Sequence, residues 1–189
     1  MQTTSENTSN DHVKSKVKIT NNRVQTSQLM ELFEEKLKVI LWTEKELTTI
    51  IPKMITLATS DDLILALTDH LHQTNEHITR LAKVFKTIDK KPATFKSNVM
   101  DGLIAEAGEI MEDCDKGPKC DAAIIAATQK IEHYEIATYG TLREYAETLN
   151  LREAERLLLK TLNEEKEADK KLTEVAVQSV NVEAASEKM

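Results

Sequence analysis

The sequence predicts an all-α fold: a four-helix bundle of two antiparallel hairpins, joined by a long crossover that contains a short helix. Three observations lead there. Only four Gly and three Pro punctuate 189 residues, and aromatics stand at 4%; this composition suits long helices and disfavours turn-rich β folds. Four segments repeat apolar residues at spacings of three and four, the period of one buried helix face. The links between them run short, long, short.

Each element follows in order. Residues 1–26 are polar and without helical period, so a solvated, disordered tail is expected. Within it, residues 13–19 alternate, as an edge strand or docking arm also would. The bundle is assigned to residues 27–179. Its first helix starts at a Thr26-Ser27 cap and runs to about Thr59, with Leu37, Ile40, Leu41, Glu44, Leu47 and Ile51 inward. Pro52 should bend or break it. Ser60-Asp61 stops the chain and caps the second helix, which runs to about Ile88. Its stripe reads Leu63, Leu67, His70, Gln73 or Thr74, His77, Leu81, Val84 and Ile88.

A connection of about 30 residues follows, opened by Pro92 and closed by Gly117-Pro118, with a shorter helix inside it. The third core helix takes Asp121 as its cap and runs to about Leu149. Ile125, Thr128, Glu132, Glu135, Tyr139 and Leu142 lie on its inner face. Asn150 marks a tight turn. The fourth helix runs from about Leu151 to Ser179, with Leu158, Leu162, Glu165, Asp169, Leu172 and Ala176 inward, and residues 180–189 form a frayed tail. Short links make hairpins. A link of some 30 residues is long enough to return along the whole bundle, as in ferritin-like folds.

Net charge is −7, which argues against a nucleic-acid or anionic-membrane binder. Lys14, Lys16, Lys18 and Arg23 are a weak basic patch, opposed by Glu6 and Asp11. No run of about 18 apolar residues offers a membrane span, and the N-terminus lacks the apolar segment of a secretory signal, so a cytoplasmic protein is expected. Cys114 and Cys120 lack the usual zinc or redox spacing. The expectation is a surface loop without functional role, with a redox-sensitive bridge as the alternative.

The candidate site lies where the stripes turn polar. Glu44, His70, His77, Glu132, Glu135, Glu165 and Asp169 all fall near mid-helix inside apolar faces. Buried charges cost several kcal/mol unless paired, neutralised or bound to metal. Carboxylates and imidazoles from four helices at one height therefore suggest a metal site in the core. His70 and His77 stand two turns apart, too far to hold one ion, so at most one of the two is expected as a direct ligand. Glu132 and Glu135 adjoin on one face and would repel without a cation between them. His133 points away by about 100°. Most acids in the run Glu164, Glu165, Glu167 and Asp169 should be a solvated face, with only Glu165 and Asp169 inward. Tyr139, one turn below Glu135, reads as a core tyrosine with a satisfied hydroxyl. Trp42 should pack against a helix or a dimer partner.

The strings LWTEKEL, PKM, HLHQTNEHITRL, GLIAEA, IEHYEIATYGTL and EEKEADKKLTE resemble the YciE/YciF-type ferritin-like family over roughly residues 28–180. EHYEI followed by YGTL is the most specific part. The resemblance implies a ferritin-like bundle linked to bacterial stress responses, with a candidate metal site, in a family described as ferroxidases. The carboxylate and imidazole donors themselves suggest two iron (or manganese) ions and oxidation of Fe(II) by oxygen or peroxide, and a homodimer is expected. Residue by residue, Glu44 matches the family's A-E-K stretch and His70 with Thr74 its H-L-x-x-T. Glu132, His133 and Glu135 match E-H-Y-E, while Glu165 and Asp169 match the last acidic string. Gln73 enters the ligand set where many members carry Glu, as they also do at His72. Val39 and Leu41 replace the family's frequent Asp and Tyr. The alternative function is a non-catalytic scaffold whose inward charges pair with lysine or arginine, such as Lys45 or Lys130.

Overall fold

A computed structural model describes residues 27–187. The alternating segment at residues 13–19 and the basic residues of the tail lie outside them. The helices are α1 (Gln28–Leu57), α2 (Asp61–Thr87), α3 (Asn98–Asp113), α4 (Pro118–Thr148), α5 (Arg152–Val175) and α6 (Asn181–Ser186). α1 pairs with α2 and α4 with α5; α2 then packs on α5 and α1 on α4. This is the expected bundle of two hairpins, with α3 in the crossover packed on α4 and α1.

The helix ends follow local chemistry. Ser27, Ser60 and Ser97 each accept a backbone N–H from the first turn of α1, α2 and α3. Asp89 and Asn150 adopt positive φ, 55° and 59°, just past α2 and α4. Lys90 N–H then reaches the Phe85 carbonyl and Leu151 N–H the Ala146 carbonyl, so both helices close in the six-to-one hydrogen bond that a left-handed residue permits. Pro52 sits within α1 and does not break it.

Three expectations need correction. Asp121 is not the cap of α4: the helix starts at Pro118 after Gly117, since proline fits the first turn, where its missing N–H costs nothing. Asp121 instead reaches the other hairpin. Its carboxylate accepts the Thr59 N–H at 2.9 Å, the Thr59 hydroxyl at 2.7 Å and the Ser60 N–H at 2.8 Å. Residues 180–186 are not frayed: α5 continues through a π-helical turn, Ala176–Val180, into α6, because Val180 is fully buried against the core. Cys114 and Cys120 are joined in a disulfide that ties the end of α3 to the start of α4, and Cys120 is fully buried rather than in a surface loop.

Two apolar clusters fill the bundle. One gathers Phe33, Leu37, Ile40, Leu81, Phe85, Leu142 and Leu158; the other gathers Leu47, Ile51, Leu63, Leu67, Ile124, Ile131 and Leu172. Glu44, His70, His77, Glu132, Glu135 and Glu165 lie between them in sequence on every core helix, as one polar layer. None of the described helices is long and apolar enough to cross a membrane.

Candidate metal centre

Six side chains form the layer. Glu44, His77, Glu132, Glu135 and Glu165 are wholly inaccessible and His70 is 4% exposed. They form two groups whose candidate ligand atoms lie within 4.8 Å of one another: His70, Glu132, Glu135 and Glu165; and Glu44, His77 and Glu165. Glu165 belongs to both. The two-turn separation of His70 and His77 thus does not leave one of them over; each serves its own group.

Ring nitrogens approach carboxylates closely. His70 Nε2 stands 3.1 Å from Glu132 Oε1, His77 Nδ1 is 2.9 Å from Glu165 Oε1 and 3.3 Å from Glu44 Oε1, and His70 Nδ1 is 4.0 Å from Glu165 Oε2. These approaches are close but not aligned as hydrogen bonds. Both nitrogens of His70, Nδ1 of His77, both oxygens of Glu132, Glu135 and Glu165, and Oε2 of Glu44 have no hydrogen-bond partner. Ligand atoms about 2.1 Å from an octahedral ion lie roughly 3 Å apart, with their lone pairs aimed at the ion and not at each other. Close, misaligned and orphaned donors fit that arrangement, and buried polar groups are otherwise rarely left unpaired.

One side of the layer has protein support. The Tyr139 hydroxyl donates to Glu44 Oε1, and its ring meets the His77 ring edge-on with centroids 6.2 Å apart. His77 Nε2 lies 3.0 Å from Glu164 Oε2. Glu164 is held in turn by Arg80, whose guanidinium also donates to Thr161 at 2.6 Å. A carboxylate on the far nitrogen of a histidine fixes its tautomer and aims the other nitrogen at a metal.

Electrostatics follow from burial. Desolvation drives the Glu132 and Glu135 carboxyls well above their ordinary range, and the nearby Glu165 charge adds to it. Glu44 is raised as well, by burial, against the pull of His77. Burial alone would lower His77, but the Glu44 and Glu165 carboxylates overcome it and raise the imidazole to about 10. His70 is lowered by burial. Burial would raise Glu165, yet His77 beside it brings the net shift down. Burial likewise opposes the lowering of Glu164, which the Arg80 hydrogen bond wins.

Two expected ligands are not brought into the layer. Gln73 is only partly buried because Thr74 takes the inward position between His70 and His77, four residues after one and three before the other. Asp169 sits at the α4–α5 seam, where Gln129 donates to it at 3.1 Å and the exposed His133 lies 3.3 Å away. Arg80 and Glu164 were missed. Their one signal was an arginine three residues after His77 on the buried stripe, which demands an acidic partner. The suggested lysine partners lie elsewhere: Lys45 is exposed and Lys130 pairs with Glu106 on the surface. Trp42 is partly buried against the Leu47–Leu172 cluster.

Comparison with known proteins places this arrangement. Residues 28–185 match a family described as "Domain of unknown function (DUF892)". Protein YciF of Escherichia coli strain K12 is 44% identical over 142 residues, 75% of this chain and 86% of that protein. The crystal structure of the E. coli stress protein YciF superposes with a TM-score of 0.78 at 40% identity, covering 82% of this chain and 99% of that one. YcfI from Rhodopseudomonas palustris, proposed there to be a structural protein, superposes with a TM-score of 0.74 at 43% identity, over 82% of this chain and 98% of its own. The chain belongs to this YciF-type family of all-α bundles.

Proposed function

We propose that the chain holds two iron or manganese ions in its core and oxidises Fe(II) with oxygen or peroxide, as a cytoplasmic homodimer acting in a bacterial stress response. The observation that carries this reading is Glu165, one buried carboxylate common to both ligand groups and so able to bridge two ions. Four carboxylates and two imidazoles are a donor set suited to iron and manganese, and the oxygen ligands favour the ferric state. When bound, such a pair supplies one-electron redox steps.

The chain's own residues do the rest. Glu132 and Glu135 give up their protons to become ligands, so loading releases protons. Arg80 and Glu164 hold His77 in place, and Tyr139 holds Glu44. The apolar clusters on either side keep bulk water out. With peroxide as oxidant, two Fe(II) substrates give one electron each, two protons are taken up and two waters form. The scaffold reading pairs the inward charges with lysine or arginine, and among the described residues Arg80 is committed to Glu164 and Thr161 while Lys45 is exposed and Lys130 pairs with Glu106. For the dimer, Phe95 and Val99 offer exposed apolar surface beside α3, 67% and 63% exposed.

The test is metal content by mass spectrometry after anaerobic loading with Fe(II) or Mn(II) and desalting. About two ions per chain, followed by rapid Fe(II) oxidation in stopped flow, is expected. A chain that retains no metal and survives chelation unchanged would overturn the reading in favour of a structural bundle.

A further inference from the structure

The six-residue layer is sealed above and below by apolar side chains, so an ion needs a lateral route. A surface cleft among the described residues reaches it. Between α2 and α5 lies a cleft of about 120 Å³ whose lining includes Asp69, Gln73, Glu167, Ala168 and Lys171, with His70 at its inner wall. The larger grooves beside Pro52 and beside Val39 touch none of the six layer residues.

His70 joins the two environments. It is 4% exposed and both ring nitrogens lack a hydrogen-bond partner. It lines the cleft, and its Nε2 is 3.1 Å from Glu132 inside the layer. The mouth carries two exposed carboxylates, Asp69 and Glu167, against one ammonium, Lys171, and the Gln73 amide adds a neutral oxygen. A concave mouth with excess negative charge concentrates small cations and repels anions.

Resting on the two-ion reading above, we propose that this α2–α5 cleft is the route by which a divalent cation enters the core, passing Asp69 and Glu167 and reaching His70 first. Gln73, outside the ligand layer, then serves as part of the mouth. His77 has no such access: its outer nitrogen is covered by Glu164 and Arg80. Filling proceeds from the His70 side inward.

The test follows the rate of Co(II) uptake by the full chain in stopped flow, through the visible absorption of the bound ion, with final Co(II) per chain measured separately. The double variant Asp69→Lys, Glu167→Lys should slow uptake about tenfold at low ionic strength, with the deficit shrinking as salt screens the mouth. Ala168→Phe, which fills the cleft, should slow uptake at every ionic strength. Both should reach the wild-type Co(II) content. Thr138→Phe, in the groove beside Val39, should fill at the wild-type rate. Wild-type rates in both cleft variants would overturn the route while leaving the centre intact. If Ala168→Phe does not fold, the charge variant decides alone, since both of its positions are exposed. A wild-type chain that takes up no Co(II) would sink the metal centre itself, a result distinct from failure of the route.

Discussion

Around His77, the protein supplies partners on the outer side, to His77 Nε2 and to Glu44 Oε1. Nε2 faces Glu164, Glu164 is gripped by Arg80, and Glu44 accepts the Tyr139 hydroxyl. Around His70 it supplies almost none: both ring nitrogens and all four oxygens of Glu132 and Glu135 are left without hydrogen bonds. The same residue types, in one layer and joined by Glu165, are thus braced on one side and bare on the other. The braced side is pre-organised and closed. On the two-ion reading, the bare side takes an incoming cation to offset its desolvation, and of the two sides it is the one that meets the α2–α5 cleft. A site that must stay rigid and still be filled needs both kinds of construction.

The sharpest way to break this comparison is to remove the shared carboxylate. Glu165→Ala should lose both ions while keeping its helicity by circular dichroism, whereas Glu132→Ala should lose the ion on the His70 side and keep the other. Equal metal content in the two variants would erase the distinction between the halves.

Next in size is the effect of pH on the metal-free chain. Glu44, Glu132 and Glu135 are raised, so in the folded state they keep protons that the unfolded chain loses above about 4.5. His77 is raised to about 10 from 6.5, so its stabilisation is complete below 6.5 and disappears as pH climbs through 10. His70 is lowered, and its contribution changes only below 6.5. Glu164 and Glu165 are lowered, and theirs is constant above 4.5. Between pH 7 and 10 the metal-free bundle should therefore lose stability, by up to about 1.4 kcal/mol per pH unit for each such proton. The loaded protein should not follow, because metal takes the place of the protons. Urea titrations of both forms across that range check this; parallel curves would contradict it.

Glu164→Gln removes the charge behind His77 and should weaken the ion on that side about 10–100-fold, leaving the His70 side unchanged. Competition titration against a chelator separates the two affinities. The smallest expected effect is that of Tyr139→Phe. It leaves a buried Glu44 oxygen without its donor, at a cost of about 1–3 kcal/mol in the metal-free protein. A fall in the urea midpoint in the metal-free form, with a smaller one after loading, would sharpen the view of Tyr139 as a brace.

How much of this was legible depends on how far each residue's environment is set by its own helix. Glu44, His70, His77, Glu132, Glu135 and Glu165 were readable because each sits on the centre line of an apolar stripe, where a small error in helix phase still points inward. Gln73 and Asp169 lie at the stripe edges, where the same error decides between core and seam. Glu164 follows the opposite rule. It is one residue, about 100° of rotation, from Glu165, and it reads as solvated until α2 brings Arg80 and His77 against it from 84 and 87 positions away.

The sequence by itself determined the four core helices and the hairpin–crossover–hairpin order, and it named eight inward polar candidates, among them the six of the buried layer. Those properties rest on helical period, caps and loop length, all local along the chain. Only the tertiary structure decided that Glu165 is shared by two groups, that Arg80 braces one of them, that Asp121 grips the opposite hairpin and that Cys114 meets Cys120. It also decided that α5 carries on to Ser186. Each of these depends on the rotation and height of one helix against another, and periodicity within a single helix carries no information about either.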